Sequence, residues 1–197
     1  MVRIVLFLSR NEIEALSEFR PMAEAIRKSY IAVTKGEASI PPVGYLPLKQ
    51  HNGDCHIKFG HLDGDPIFIV KVATGFYDNP KLGLSTSNGM MVAFSAITGE
   101  PIAILQDEGY LTDLRTAIGS AIATQALARK DATKILVVGA GIQARQQILA
   151  HKELMSETKF GFSVWARDVK KAQVFIHDLK KVGCEIALCA DLETGCG

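Results

Sequence analysis

A glycine-rich segment near residue 140 has the residue types and spacing of a dinucleotide-binding turn. Four apolar residues, 135–138, run into Gly139 and Gly141, and Ala144 completes a G-x-G-x-x-A pattern. Glycines at these positions let the backbone approach a pyrophosphate at the N-terminus of the following helix. A second strand-like run, 160–165, lies at the spacing that a β-α-β unit requires. The pattern in this context predicts dinucleotide binding at the turn.

The residues after the second strand-like run bear on which dinucleotide binds. An acidic residue there holds the ribose 2′-hydroxyl of NAD, whereas an arginine accommodates the 2′-phosphate of NADP. The chain has Ala166, Arg167 and Asp168 in succession. Arg167 favours NADP(H), and Asp168 keeps NAD(H) open. A solvated pair of charges is the alternative to both.

Two basic residues lie at positions that are unfavourable for a positive charge. Lys71 interrupts an apolar strand-like segment, so its side chain lies either on the solvated face or against an anionic ligand in a cleft. Arg115 lies in the first turn of a helix predicted to be capped by Thr112, where the helix dipole disfavours a cation unless an anion is also present. The alternative is an exposed Arg115 paired with Asp113 or Glu108.

The cysteines and histidines do not form a metal-ligand pattern. The four cysteines lack C-x-x-C spacing and are predicted to be free thiols: Cys55, Cys184, Cys189 and Cys196. Three histidines recur every five residues, across a turn, a strand and another turn: His51, His56 and His61. No Cys/His pair supports them as ligands, so no metal site is predicted.

The rest of the pattern predicts an α/β protein with two domains. The first, residues 1–130, begins with a strand, a capping box from Ser9 to Glu12 and two short helices, of which Pro21 opens the second and Gly36 ends it. An antiparallel meander follows, with strands at 54–60, 66–73, 89–96 and 101–106. The second domain is part of a Rossmann-type parallel sheet over 131–197, with strands near 134–138, 160–165 and 184–189.

Composition excludes several classes of protein. The chain is 48% hydrophobic and 22% charged, which is typical of a globular protein. The net charge of +1 and the lack of a basic block argue against binding to nucleic acid or to a membrane. The seven-residue apolar start reads as a strand rather than as a signal peptide, so a cytoplasmic location is expected.

Several motifs together resemble one enzyme family over about residues 40–170. They occur in the order seen in the ornithine cyclodeaminase and mu-crystallin family: Lys71, Asn79-Pro80, Gly83-Leu84, Thr98-Gly99, residues 111–117, residues 139–143 and Gln147. On these motifs the chain is identified as a member. The resemblance implies a substrate and dimerisation domain joined to a Rossmann domain. It also implies NAD or NADP as cofactor, and either cyclisation of ornithine to proline with loss of ammonia or reduction of cyclic imines and ketimines.

The resemblance assigns roles to individual residues. Lys71 and Arg115 would hold the carboxylate of a small amino or imino acid, with Arg115 also near the nicotinamide. Thr86 would touch the nicotinamide side of the cofactor, and Ile142 with Gln143 would cradle the pyrophosphate.

Three positions depart from the cyclodeaminase pattern. Val43 stands where those enzymes bring an arginine, His56 where they carry a substrate-facing glutamate, and Ala166 where they end the second Rossmann strand in Asp. The first two argue against ornithine as substrate, and the third favours NADP. His56, with Lys58 on the same strand face, is either a proton donor or part of a polar strand surface.

The family's catalytic aspartate lies beyond Gly197 in this resemblance, so no catalytic residue is assigned within the chain. The 197 residues alone are therefore expected to be inactive, to bind dinucleotide weakly and to associate, with a homodimer formed through the meander domain. A catalytically silent protein that binds ligand or pairs subunits is the alternative to an enzyme.

Overall fold

The chain forms two compact units in a computed structural model that describes residues 4–158 and 160–195. One unit comprises residues 4–17 and 27–112, and the other comprises residues 18–26 and 113–195. The change from one unit to the other at residue 113 falls inside a helix. The predicted domain boundary near residue 130 lies in the loop after that helix and stays a prediction.

The N-terminal segment contains the predicted strand and two helices: β1 (Leu6–Ser9), α1 (Arg10–Leu16) and α2 (Phe19–Lys35). The backbone N–H of Ser9 donates to Glu12 Oε2 at 2.8 Å, which confirms the predicted contact at the start of α1. Helix α2 begins two residues before Pro21, so Pro21 lies in its first turn, where a missing N–H leaves no bond unmade. It ends before Gly36, whose φ of +76° is the left-handed conformation of a helix stop.

The first unit is built around a seven-stranded sheet. Its remaining strands are β2 (Ala38–Ser39), β3 (Gly44–Leu48), β4 (Gly53–Leu62), β5 (Ile67–Phe76), β6 (Ser87–Ser95) and β7 (Pro101–Gln106). The order is β1-β7-β6-β5-β4-β2, with β3 also paired to β4. Consecutive strands from β4 to β7 are antiparallel, which confirms the predicted meander, and β1 joins β7 in parallel.

Strand register gives this sheet two chemically different faces. One face carries an apolar row across five strands: Phe59, Val70, Val92, Ile104 and Phe7. The neighbouring row projects from the opposite face and begins with two lysines: Lys58, Lys71, Met91, Leu105 and Leu8. Because side chains alternate along every strand, this register decides which residues share a surface.

Helix α3 (Tyr110–Leu127) begins earlier than the sequence predicts. Asp107, rather than Thr112, provides the cap: its carboxylate accepts the N–H of Leu111 at 2.9 Å, and the residue is only 1% exposed. Positive φ angles at Glu108 and Gly109, +51° and +86°, turn the chain from β7 into the helix. Thr112 therefore lies within the first turn of α3. Arg115 lies in the second turn, which corrects the prediction that it lies in the first.

The second unit contains three parallel strands with helices between them. The elements are β8 (Lys134–Val138), α4 (Ile142–Leu154), β9 (Gly161–Trp165), α5 (Val169–Lys181), β10 (Ile186–Leu188) and α6 (Leu192–Gly195). The strand order β10-β9-β8 is that of the first half of a Rossmann sheet. Strand β10 is shorter than predicted because the N–H of Cys184 bonds to the Leu179 carbonyl and so belongs to the end of α5.

A small apolar core holds this β-α-β-α-β unit together. Its buried members come from both helices, from β9 and from the turn after α5: Ala144, Ile148, Val164, Phe175, Leu179 and Cys184. Ile148, Val164 and Leu179 are fully buried, so the helices pack on the sheet through the positions that sequence periodicity selects. Among the described residues, no helix is both long and apolar enough to cross a membrane.

Candidate functional site

The glycine-rich turn has the geometry that a pyrophosphate requires. Gly139 has a φ of +115°, and a Cβ at either Gly139 or Gly141 would meet no atom within 4 Å. Gly141 is the N-cap of α4 and has no side chain to cover the free N–H groups of Ile142 and Gln143. The turn therefore combines open space, backbone donors and the positive end of a 13-residue helix, which is what a bound dinucleotide phosphate needs.

Side-chain hydrogen bonds join α3 to α4 along their length. They link Asp113 with Gln143 (2.5 Å), Ser120 with Gln147 (3.4 Å), Thr124 with His151 (2.9 Å) and Gln125 with the Leu154 carbonyl (2.9 Å). The residue numbers rise together in both helices, so the two helices run parallel. The first turn of α3 therefore lies beside the glycine-rich turn at the start of α4.

Gln143 is one of the residues predicted to hold the pyrophosphate. Its side-chain amide donates to Asp113 Oδ1, and its Oε1 is buried with no hydrogen-bond partner among the described residues. The side chain of Gln143 is thus hydrogen-bonded to α3. The group that Gln143 can offer to a phosphate is its backbone N–H.

Lys71 projects from β5 toward the start of α3. Its ammonium group donates to Thr112 Oγ1 at 3.3 Å, and the lysine is half-buried. Lys71 is therefore neither fully solvated nor fully buried, and its predicted contact with an anionic ligand stays a prediction.

Arg115 follows Thr112 by three residues, so the two share one side of α3. Arg115 is exposed and forms no ion pair within residues 4–158 and 160–195. Of the two acids considered as partners, Asp113 accepts from Gln143, and Glu108 lies 3.7 Å from Arg10. The structure does not contain the surface ion pair that was the alternative for Arg115.

His56 belongs to a polar cluster on the lysine-bearing face of the sheet. Its Nε2 lies 3.3 Å from Asp54 Oδ1, and its ring lies 5.1 Å from that of Tyr45. The other carboxylate oxygen of Asp54 accepts the hydroxyl of Tyr77, and this hydrogen bond raises the pKa of Tyr77. His56 is therefore held among polar groups on the sheet surface.

Thr86 precedes β6 and is half-buried. Its carbonyl accepts the N–H of Phe76 at 2.8 Å, which anchors the end of the β5–β6 connection. Its predicted contact with the nicotinamide stays a prediction.

Arg167 and Asp168 follow β9 at the edge where the glycine-rich turn lies. Both line a cavity of about 380 Å³ together with Gly139, Ala140 and Lys171. The carboxylate of Asp168 accepts the backbone N–H of Lys171 at 3.2 Å and so caps α5. Asp168 therefore has a structural role that the sequence pattern did not reveal.

Metal ligation finds no support in the described part of the chain. No group of three or more His, Cys, Asp or Glu side chains there could hold a metal ion. Cys55, Cys184 and Cys189 are free thiols, as predicted, and Cys196 lies outside the described residues.

Comparison with known proteins decides the family. The profile of the ornithine cyclodeaminase/mu-crystallin family matches residues 4–196. The chain belongs to this family. An uncharacterized cyclodeaminase of Sinorhizobium fredii is 40% identical over 141 residues, covering 72% of this chain and 42% of the relative.

Two solved structures of family members share the fold of the chain. The Thermococcus litoralis Δ1-pyrroline-2-carboxylate reductase, in complex with NADH and L-proline, is 28% identical with a TM-score of 0.87, covering 97% of this chain and 58% of that one. An archaeal alanine dehydrogenase dimer with bound NAD is 27% identical with a TM-score of 0.83, covering 94% and 56%. The chain spans about half the length of the relatives it matches.

Several structurally important residues escaped the sequence analysis. Asp107 follows a strand and precedes Glu-Gly, which is a signal for a capped turn. The partners Asp113 and Gln143 give no such signal, because each is polar in the first turn of a helix and they are thirty residues apart in sequence. The bond between α3 and α4 could be found only from the packing of the helices.

His151 adds a further contact between α3 and α4. Because a carbonyl can only accept, the ring Nδ1–H donates to Gln147 O at 2.7 Å, and Nε2 lies 2.9 Å from the hydroxyl of Thr124. The residue is 5% exposed, and burial lowers the pKa of His151, while the bond to Gln147 acts in the opposite direction.

We expect His151 to make the stability of the protein depend on pH. Its folded pKa lies below the unfolded value of about 6.5, so the unfolded chain binds more protons in the window between them. The free energy of unfolding should fall as pH decreases below about 6.5, by at most about 1.4 kcal/mol per pH unit. Denaturant titrations of wild type and His151→Met at several pH values would measure it. The dependence of the unfolding free energy on pH should be steeper in wild type than in His151→Met, and equal dependences in the two proteins would contradict the prediction.

Proposed function

We propose that the protein binds a nicotinamide dinucleotide and acts at Cα of a small amino or imino acid, by reduction of a ketimine or cyclic imine or the reverse oxidation. The hydrogen bond between Gln143 and Asp113 carries the proposal, because it sets the open glycine-rich turn beside the helical turn that immediately precedes Arg115. An unpaired guanidinium next to a dinucleotide turn suits a substrate carboxylate that must lie near the cofactor.

The residues present fit the cofactor that the fold implies. The pyrophosphate would lie on the N–H groups of Ile142 and Gln143, where Gly139 and Gly141 leave room for it. When bound, the dinucleotide supplies the hydride-transfer chemistry. The chain's own contribution is to fix the substrate so that its Cα can reach the nicotinamide.

Lys71 and Arg115 are proposed to bind the substrate carboxylate. Lys71 is half-buried and steadied by Thr112, so its ammonium group is already ordered before a ligand arrives. Arg115 has five N–H donors and no ion pair among the described residues, which suits it to bidentate binding of a carboxylate. Ornithine cyclisation is the less favoured reaction, since Val43 and His56 replace the arginine and glutamate of the cyclodeaminase pattern.

The carboxylate-binding role can be tested by substitution in the full gene product. Lys71→Ala and Arg115→Ala should each lower kcat/KM for a cyclic imine such as Δ1-pyrroline-2-carboxylate by the equivalent of about 1.5–3 kcal/mol, because each removes a charged hydrogen bond. Unfolding free energies should change little. Arg129→Ala, which removes an exposed arginine, is the matched control.

Two results would count against this role. Unfolding of either variant with unchanged substrate affinity would make the residue structural. Binding of the imine without turnover in the wild type would favour the alternative of a non-catalytic ligand-binding protein.

NADP(H) is proposed as the preferred cofactor. Arg167 and Lys171 line one cavity beside Gly139, and neither forms an ion pair within the described residues. Asp168, the acid that could hold the 2′-hydroxyl of NAD, is used as the cap of α5. The cavity thus offers two cations to a 2′-phosphate and an acid already engaged elsewhere.

We expect the gene product to bind NADPH at least about tenfold more tightly than NADH, because one charged hydrogen bond contributes about that factor in affinity. Arg167→Ala should remove the difference by weakening NADPH alone, as measured by fluorescence titration. Asp168→Ser keeps a capping oxygen and should leave NADH binding unchanged. Equal binding of NADPH and NADH in wild type would contradict the preference for NADP(H). A loss of NADH affinity in Asp168→Ser would show that Asp168 binds the ribose 2′-hydroxyl.

A homodimer through the apolar face of the meander sheet is also proposed. The row from Phe59 to Phe7 carries no charge, and its two end residues remain 43% and 55% exposed. An apolar row of this width on a folded unit is typical of an interaction surface. The archaeal alanine dehydrogenase in the comparison is a dimer, which supports a second copy as the occupant.

Light scattering on the purified protein tests the dimer. The wild type should have the mass of a dimer, and Phe59→Ser should shift it toward the monomer because it removes an exposed aromatic ring from the proposed contact. Leu82→Ser is the control, since Leu82 is exposed in a short 3₁₀ helix outside the sheet. A monomeric wild type, or equal dissociation of both variants, would rule out this face.

A further inference from the structure

Two lysines face each other across β4 and β5. Lys58 and Lys71 are direct partners in the antiparallel register, so their side chains leave the same face of the sheet. Directly opposed residues have Cβ atoms about 4.5–5.5 Å apart, and like charges in such a pair destabilise the sheet. A lysine pair at this position therefore calls for a negative charge between or beside the ammonium groups.

The described residues supply no such charge to Lys58. It is exposed and forms no ion pair within residues 4–158 and 160–195. The nearest acid on the same face of β4 is Asp54, four residues away, and its two oxygens contact His56 and Tyr77. The charge of Lys58 is left for a ligand or for solvent.

Small residues lie beside the two lysines on the same face of the sheet. The adjacent row on the same face runs from His56 to Ala73 and Gly89. A Cβ at Gly89 would lie 2.5 Å from the Val72 carbonyl oxygen, so this position excludes any side chain. Ala73 and Gly89 thus leave room next to Lys71 on the sheet face that Lys58 and His56 share.

We propose that Lys58 binds a second anionic group of the substrate, so that the substrate is an amino or imino dicarboxylate. The inference rests on the proposed function, in which Lys71 binds the carboxylate next to the reacting carbon. Because the two lysines are direct neighbours on one face, a molecule whose two carboxylates are separated by a short carbon chain can contact both ammonium groups.

In the oxidative direction the reaction balances without a further reactant. With an oxidised nicotinamide dinucleotide bound as the hydride acceptor, Cα would lose a hydride, the amine nitrogen would lose one proton and a C=N double bond would form. The distal carboxylate takes no part in bond making. Its contact with Lys58 affects binding and orientation alone.

Matched pairs of amino acids test the inference on the full gene product. L-aspartate is compared with L-2-aminobutyrate, and L-glutamate with L-norvaline, since each pair differs chiefly in a carboxylate against a methyl group. Affinity is measured by calorimetry and oxidation by nicotinamide absorbance. At least one dicarboxylate should bind and react about tenfold or more better than its neutral counterpart, the effect of one charged hydrogen bond.

Substitutions assign the effect to Lys58. Lys58→Met should remove the advantage of the dicarboxylate and leave the neutral amino acid unchanged, whereas Lys58→Arg should keep it. Lys49→Met, which removes another exposed lysine of the same unit, should alter neither.

The outcomes separate this inference from the proposed function. If the neutral amino acids are oxidised as well as the dicarboxylates, or if Lys58→Met weakens both members of a pair equally, the role of Lys58 is wrong and the oxidoreductase activity stands. If no amino acid is oxidised but a dicarboxylate binds in a Lys58-dependent way, the anion site stands and the proposed reaction is wrong. Absence of both binding and turnover overturns the inference.

Discussion

The hydrogen bond between Gln143 and Asp113 is the contact on which the arrangement of the candidate site depends. It joins the first turn of α4, which follows the glycine-rich turn, to the first turn of α3, which immediately precedes Arg115. Within the part of the chain that the structure describes, the Gln143 Oε1 is buried without a hydrogen-bond partner, at a cost of about 1–3 kcal/mol. Such a cost is tolerated where the position of a helix matters more than the hydrogen bonding of a single side-chain oxygen. Contacts of Ser120 and Thr124 farther along α3 keep the two helices in the same register.

In the first unit, strand register determines which side chains lie together, as the pairing of α3 with α4 does in the second. Because side chains alternate, one pairing of β4 with β5 places Phe59 on the apolar face and Lys58 on the polar face. A slip of one residue would move Phe59 to the polar face and Lys58 to the apolar face. The register that keeps the apolar row on one face therefore also places Lys58 and Lys71 together on the other.

Local signals accounted for much of the fold and for less of the site. The capping box at Ser9, the meander turns and the apolar run into Gly139 each depend on neighbours in sequence, and the structure confirms them. The cap by Asp107 was missed because Thr112 gave the stronger local capping pattern. The cap by Asp168 was missed because that residue was interpreted as one that could hold the ribose of NAD. The contacts that define the site join residues far apart in the chain, and sequence periodicity carries no information about them.

The parallel pairing of α3 and α4 gives the second unit an electrostatic preference of its own. Two parallel helices bring their positive N-terminal ends together, each worth about 0.3–1 kcal/mol toward a nearby anion. Asp113 offsets part of this charge in the first turn of α3, whereas Gly141 offers no side chain to the start of α4 and Arg115 adds a further positive charge. An anion bound there relieves the repulsion that the helix pairing creates. Ligand binding and the stability of this unit are therefore linked, since whatever binds the folded form alone also stabilises it.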